Sequence, residues 1–99
     1  MATERVWTFL SNHAHVLLAV AADPQIRVRD IAQRVGITER ASQQILADLV
    51  ADGYLHRTRV GRRNEYTIEG GRHFRHPAER TRTIDELIAI FQPDPSELN

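Results

Sequence analysis

The chain contains no cysteine and no lysine. The first absence excludes disulfides, thiolate metal sites, thiol-based redox sensing and cysteine nucleophiles. The second makes all thirteen cationic side chains arginines, planar fork donors suited to paired and stacked contacts with phosphate. Long apolar runs are also lacking. The most apolar stretch, Ala14 to Ala22, has His15 as its one polar residue and is far shorter than the ~20 residues that cross a bilayer. No basic segment followed by an apolar run and a small-residue cleavage site opens the sequence, so neither a secretory signal nor a membrane partner is expected. A reducing, cytoplasmic setting fits the missing cysteines.

Catalytic signatures are missing as well. Gly70-Gly71 is not followed by the Lys-Ser/Thr that a phosphate loop requires. Ser11, Ser42 and Ser96 lack the flanking residues of an activated nucleophile, and the carboxylates are scattered among arginines rather than paired with one another. His13 and His15 are two apart and His73 and His76 three apart. The second pair lies in an aperiodic stretch just before Pro77, a poor frame for metal coordination. The chain is therefore read as a non-enzyme with no metal and no cofactor. His13, on an apolar stripe, is read as an interior or interface histidine.

What the sequence does hold is charge sorted by position. The formal net charge over 99 residues is zero. Yet residues 1–53 carry five arginines and six acids, residues 54–82 carry eight arginines against three glutamates, and residues 83–99 carry four acids and no base. The basic middle block marks where a polyanion would be met. An apolar content of 41% suits one domain over residues 1–99 with a modest core.

Val6, Phe9, Leu10, His13, Val16, Leu17 and Val20 fall within one helical arc of about 120°. Ser11-Asn12 offers an internal N-cap, leaving open whether residues 6–22 form one helix or restart at Ser11. Asp23-Pro24 ends the helix, and Ile26-Arg27-Val28 alternates as a short strand would. Arg29 to Val35 returns to helical spacing, with Asp30 and Arg34 placed to suit the helix dipole. Gly36 closes that helix, and Ile37 is the apolar plug of a helix-turn-helix. Thr38 caps the next helix, expected over Glu39 to Ala51 and ended by Gly53. Its inward side carries Ala41, Ser42, Ile45, Leu46, Leu49 and Val50, its outward side Arg40, Gln43, Gln44 and Ala47. Guanidinium and carboxamide groups can each make paired hydrogen bonds to base edges in a major groove, so this is read as a recognition helix.

Tyr54 to Val60 and Glu65 to Glu69 read as a hairpin around a four-residue tip, Gly61-Arg62-Arg63-Asn64, with Leu55, Tyr66 and Ile68 toward the core. A turn needs no adjacent cations, so Arg62 and Arg63 point to backbone phosphate or the minor groove. Arg72 to Arg82 shows no usable period. Thr83-Ile84-Asp85-Glu86 is a capping box that starts a helix with the stripe Ile84, Leu87, Ile88 and Phe91, stopped by Pro93. A helix that short must bury its stripe against the domain, a second copy or a partner. The tail, residues 93–99, is read as disordered.

This order of elements resembles the winged helix-turn-helix of small bacterial and archaeal transcriptional regulators over roughly Asn12 to Ile68. The residues that carry the resemblance are Val28-Arg29-Asp30-Ile31-Ala32 with Val35-Gly36-Ile37-Thr38, Leu49 to Leu55 where helix meets wing, and Gly61 to Tyr66 at the wing itself. The pattern is most similar to the ArsR-like branch, whose wing commonly carries Gly-Arg before an aromatic strand residue, with the MarR family next. The implied fold is mainly α with a small β-hairpin wing: a winged helix-turn-helix core over about residues 12–69 with flanking N- and C-terminal helices, the latter over 83–92. The ArsR cysteine ligands are absent, which removes metal sensing of that kind. Ser42 stands where the family usually has an apolar residue and is expected to bond back to the Thr38 carbonyl.

The resemblance implies a homodimer that sets two recognition helices in successive major grooves, wings on the backbone or minor groove, and terminal helices in the subunit contact. The expected function is that of a sequence-specific, double-stranded DNA-binding transcriptional regulator. Thr38, Arg40, Gln43 and Gln44 on the helix and Arg57, Arg59, Arg62, Arg63 and Asn64 on the wing are the expected DNA contacts. Trp7, Leu10, Leu18, Ile84, Leu87, Ile88 and Phe91 are the expected dimer contacts. The alternative is a winged-helix protein-interaction module whose wing arginines meet an acidic partner. No cluster that would bind a small-molecule effector is legible.

Overall fold

The computed structural model describes residues 7–92; Val6 of the first stripe, the stop at Pro93 and the tail lie outside them. The elements are α1 (Asn12–Ala22), α2 (Val28–Val35), α3 (Glu39–Ala51), β1 (Leu55–Val60), β2 (Arg63–Ile68) and α4 (Ile84–Phe91). The fold is a winged helix, with four helices and one two-stranded antiparallel hairpin among the described residues.

α1 starts at Asn12 because Ser11 caps it, its side chain accepting from the Ala14 amide at 3.2 Å. Residues 7–11 are not helical, so the expected stripe restarts at Ser11. α1 is the centre of the fold, packing on α2, α3, α4 and β2. Its Val16, Leu17, Ala19 and Val20 share one hydrophobic core with Ile31 of α2, Ile45, Leu46 and Leu49 of α3, Leu55 and Tyr66 of the hairpin, and Ile84 and Ile88 of α4. His13, expected in the interior or at an interface, is not in the interior: it is half-exposed and hydrogen-bonded to Asp48. Its arc position lies one turn before the first buried residue of α1, at the rim of the core rather than within it.

The short strand expected at Ile26-Arg27-Val28 is absent. The chain has already turned there, with the Ile26 amide donating to the Asp23 carbonyl at 3.0 Å. Arg27 then serves as the N-cap of α2, its carbonyl accepting from the amides of Asp30 and Ile31 at 2.9 Å each. Val28 is taken into the helix. What survives of a third strand is one bond, from the Tyr66 amide to the Pro24 carbonyl at 2.9 Å.

α3 is the most fully determined element. The Thr38 hydroxyl accepts from the Ala41 amide at 2.9 Å. At the far end Tyr54 and Gly53 donate to the carbonyls of Leu49 and Val50 at 2.8 and 3.1 Å, with Gly53 left-handed at φ +84°, a double closure that a side chain with Cβ would strain. Ser42 is 0% exposed and its hydroxyl donates to the Thr38 carbonyl at 3.1 Å. That bond is why a hydroxyl is tolerated in the core.

The hairpin is tighter than expected. Val60 pairs with Arg63, so the turn is Gly61-Arg62 alone, and Arg63 and Asn64 belong to β2. Gly61 takes φ +61° while Arg62 does not go positive, the glycine-first arrangement of a two-residue II′ turn, whose twist matches that of paired strands. At α4 the capping box forms: the Thr83 amide donates to the Glu86 carboxylate at 3.0 Å and holds that carboxyl below its usual 4.5.

Candidate nucleic-acid interface

The outward side of α3 is free. Arg40, Gln43, Gln44 and Ala47 are exposed, while Ser42, Ile45, Leu46 and Leu49 sink the opposite side into the core. Thr38, at the N-terminus of the same helix, is exposed too. Its hydroxyl oxygen is occupied by the cap bond, but its hydrogen remains available to donate to a phosphate. Gln44 is held: its amide donates to Asp48 Oδ1 at 3.1 Å, and Asp48 Oδ2 meets His13 Nε2 of α1 at 2.9 Å. The His13 bond, then the Gln44 bond, keeps the Asp48 carboxyl below its usual 3.8. The signal for Asp48 in the sequence is its place four residues after Gln44, the spacing at which helix side chains meet.

On the wing, antiparallel pairing sets Arg57 opposite Tyr66 and Arg59 opposite Asn64, all on the face that carries Leu55 and Ile68, because directly paired residues share a side. The inner end of this face is buried by Leu55 and Tyr66, whereas Arg57 and Arg59 continue past the core into solvent and Asn64 is half-buried. The Arg59 guanidinium donates to the Gly61 carbonyl at 3.3 Å and so lies along the tip. Arg62 and Arg63 part company. Arg62 is exposed at the turn. Arg63 is on the opposite face, its Nη2 donating to the Gln25 carbonyl at 2.7 Å. With the Tyr66–Pro24 bond and the Gln25 amide on Glu65 at 3.4 Å, it fastens β2 to the turn before α2.

The rest of the basic block is structural to a degree the sequence did not reveal. Arg72 lies over the Tyr54 ring at 5.5 Å and donates to the Asp52 carbonyl at 2.9 Å, and Arg75 meets the Asp52 carboxylate at 2.7 Å. Asp52 ends α3, where a carboxylate opposes the helix dipole; two arginines from the aperiodic segment offset it. Arg82 pairs with Glu86 at 2.9 Å, and the Tyr54 hydroxyl donates to the His73 carbonyl at 2.6 Å. An open cavity of about 420 Å³ lies between this strap and α1, α3 and α4, lined by Leu17, Leu49, Phe74 and Leu87 together with His13, Asp48 and Asp52. Among the described residues no group of three or more His, Asp and Glu could hold a metal ion, and no helix is long and apolar enough to cross a membrane.

The residues expected at a subunit contact divide. Ile84 and Ile88 are spent on the chain's own core, at 4% and 7% exposure. Leu10, Leu18 and Leu87 are half-buried. Trp7 and Phe91 are 74% and 58% exposed. Trp7 stacks edge-on with Phe9 at 4.9 Å, and Leu18 and Phe91 border one open groove with Thr8 and Val35.

A helix-turn-helix packed against a hairpin, with an unburied polar side on its second helix, defines a winged-helix fold. The sequence pattern of the MarR family matches residues 8–63, more than half of the chain, and the chain belongs to that family. Of the two branches that the sequence resembles, MarR is therefore the one matched. The PcaV transcriptional regulator from Streptomyces coelicolor is similar at a TM-score of 0.51 and 27% identity, over 60% of this chain and 46% of PcaV. PcaV in complex with its natural ligand gives a TM-score of 0.55 at 23% identity, over 90% of this chain and 67% of PcaV. The chain thus spans about half to two-thirds of PcaV's length. No curated protein matches the chain.

Proposed function

We propose that the chain is a sequence-specific, cytoplasmic regulator of transcription that lays α3 in the major groove of double-stranded DNA and its wing on the flanking backbone or minor groove. The observation that carries this reading is the division of α3: one side locked in the core, the other exposing a guanidinium and two carboxamides. Arg40, Gln43 and Gln44 choose the sequence. Arg57, Arg59 and Arg62 supply affinity that is indifferent to sequence and falls with salt. Thr38 and Asn64 stand at the edges of this surface, and Arg63 sets the wing's position.

Two copies act together. The exposed Trp7, Phe9, Ile90 and Phe91 support a contact between copies through the chain's two ends, joined by Leu10, Leu18 and Leu87. The cavity beside Asp48 and Leu49, together with PcaV's having a natural ligand, supports a small-molecule effector that acts on α3 from behind.

Selection of bound duplexes from a random pool tests the whole reading. A two-fold symmetric motif with half-sites about one helical turn apart is the expected result. Retention on heparin with no preferred duplex, and capture by acidic protein instead, would replace it with the interaction-module reading.

A further inference from the structure

Asp48 is an odd residue to find on a helix that meets DNA, because a carboxylate repels phosphate on every sequence alike. Its surroundings suggest what it does. Each of its oxygens has one partner: Oδ1 accepts from Gln44 Nε2 at 3.1 Å, and Oδ2 faces His13 Nε2 at 2.9 Å. An ionised carboxylate only accepts hydrogen bonds, so the amino end of the Gln44 carboxamide must face it and the carbonyl end must face away. The usual ambiguity of a glutamine's two ends is thereby removed.

We propose that Asp48 is a positioning residue for base recognition: it fixes the sense and direction of the Gln44 carboxamide, while His13 of α1 holds Asp48 from behind. The inference rests on the reading of α3 as the recognition helix. In the held orientation Gln44 offers its carbonyl oxygen and its second amide hydrogen outward, the acceptor and donor that an adenine edge needs at N6 and N7. A glutamine without this tie would be ordered only on binding and would lose rotamer freedom then. In water a pair of this kind favours its bonded geometry by only about 1.4- to 2.3-fold; the His13 contact and the exclusion of water at a docked interface raise that figure.

The test uses the full chain and a duplex selected from a random pool, with dissociation constants measured on that duplex and on variants at each base pair. Gln44→Ala should reduce discrimination at one base step by about fivefold or more. Asp48→Ala should reduce discrimination at that same step by about two- to fourfold while tightening binding to all duplexes. Added to Gln44→Ala, it should reduce discrimination no further. Asp48→Asn should tighten binding in the same general way yet keep the discrimination, because its carbonyl still accepts from Gln44 and its amide can donate to a neutral His13 ring. Equal loss of discrimination in Asp48→Ala and Asp48→Asn, or additivity with Gln44→Ala, would overturn the positioning role and leave the recognition helix standing. Unchanged discrimination at every step in Gln44→Ala would overturn the positioning role, and the same result in Arg40→Ala and Gln43→Ala as well would overturn both.

Discussion

α3 and the wing both offer polar side chains to solvent, but they are held in different ways. α3 is anchored along its length: a cap at each end and buried residues at Ser42, Ile45, Leu46 and Leu49. The hairpin is anchored at its base and along β2, through the Tyr66–Pro24, Gln25–Glu65 and Arg63–Gln25 bonds, while β1 is held at one end. In β1 only Leu55 is buried, and the remaining five residues run outward exposed. Base readout tolerates little misplacement of a bidentate donor, whereas a phosphate contact carries no sequence information and works over a range of positions. The rigid element is therefore the one suited to reading, and the cantilever is suited to holding on.

The largest expected effects separate the two anchorages. Leu46 is among the largest fully buried side chains, so Leu46→Ala should lower unfolding free energy by about 2–5 kcal/mol in a urea titration. Val60→Ala, at the exposed end of β1, should stay within about 0.5 kcal/mol. Similar losses at both would mean that β1 is braced by contacts the fold does not show. Next in size, Gln43→Ala should cost about 1–3 kcal/mol on the selected duplex and little on random DNA. Equal losses on both would assign α3 to the same non-reading role as the wing.

How far the sequence revealed each region follows the same division. α3 was legible because its determinants are local: a threonine cap, a glycine stop, a 3.6-residue period between them, and even the Ser42 bond to the Thr38 carbonyl. The capping box of α4 was legible for that reason too. The hairpin was legible as an element but not in its register. Arg62 and Arg63 are identical neighbours in sequence, and only the Val60–Arg63 pairing and the carbonyl of Gln25 send one to solvent and the other to the turn before α2. Partners distant in sequence likewise determined what periodicity could not show: Asp48 behind His13, Asp52 under Arg72 and Arg75, and the inward use of Ile84 and Ile88. The stretch from Arg72 to Arg82 has no period because it is held by such bonds rather than by a repeating face.

The two adjacent arginines give a finer test of the cantilever. Arg62→Ala should reduce the slope of log affinity against log salt by about 0.9, the mark of one lost phosphate contact, with no change in unfolding midpoint. Arg63→Ala should instead cost about 0.5–1.5 kcal/mol of stability through the lost Gln25 bond and change the salt slope less. If the two variants exchange these signatures, the β2 anchorage has been assigned to the wrong residue.

A small effect is also expected at the most buried polar group. Ser42→Ala removes the side-chain donor from the Thr38 carbonyl, but that carbonyl still accepts from the Ser42 main-chain amide at 3.0 Å, so nothing buried is left unpaired. A hydroxyl bonded back to its own helix contributes little beyond satisfying itself, and alanine is the better helix former. Unfolding free energy should therefore change by less than about 1 kcal/mol in either direction, with affinity for the selected duplex unchanged. A loss of about 2 kcal/mol or more would show that the hydroxyl, and not the apolar packing around it, keeps the N-terminal turn of α3 in place, and the anchorage of α3 would then resemble that of the wing.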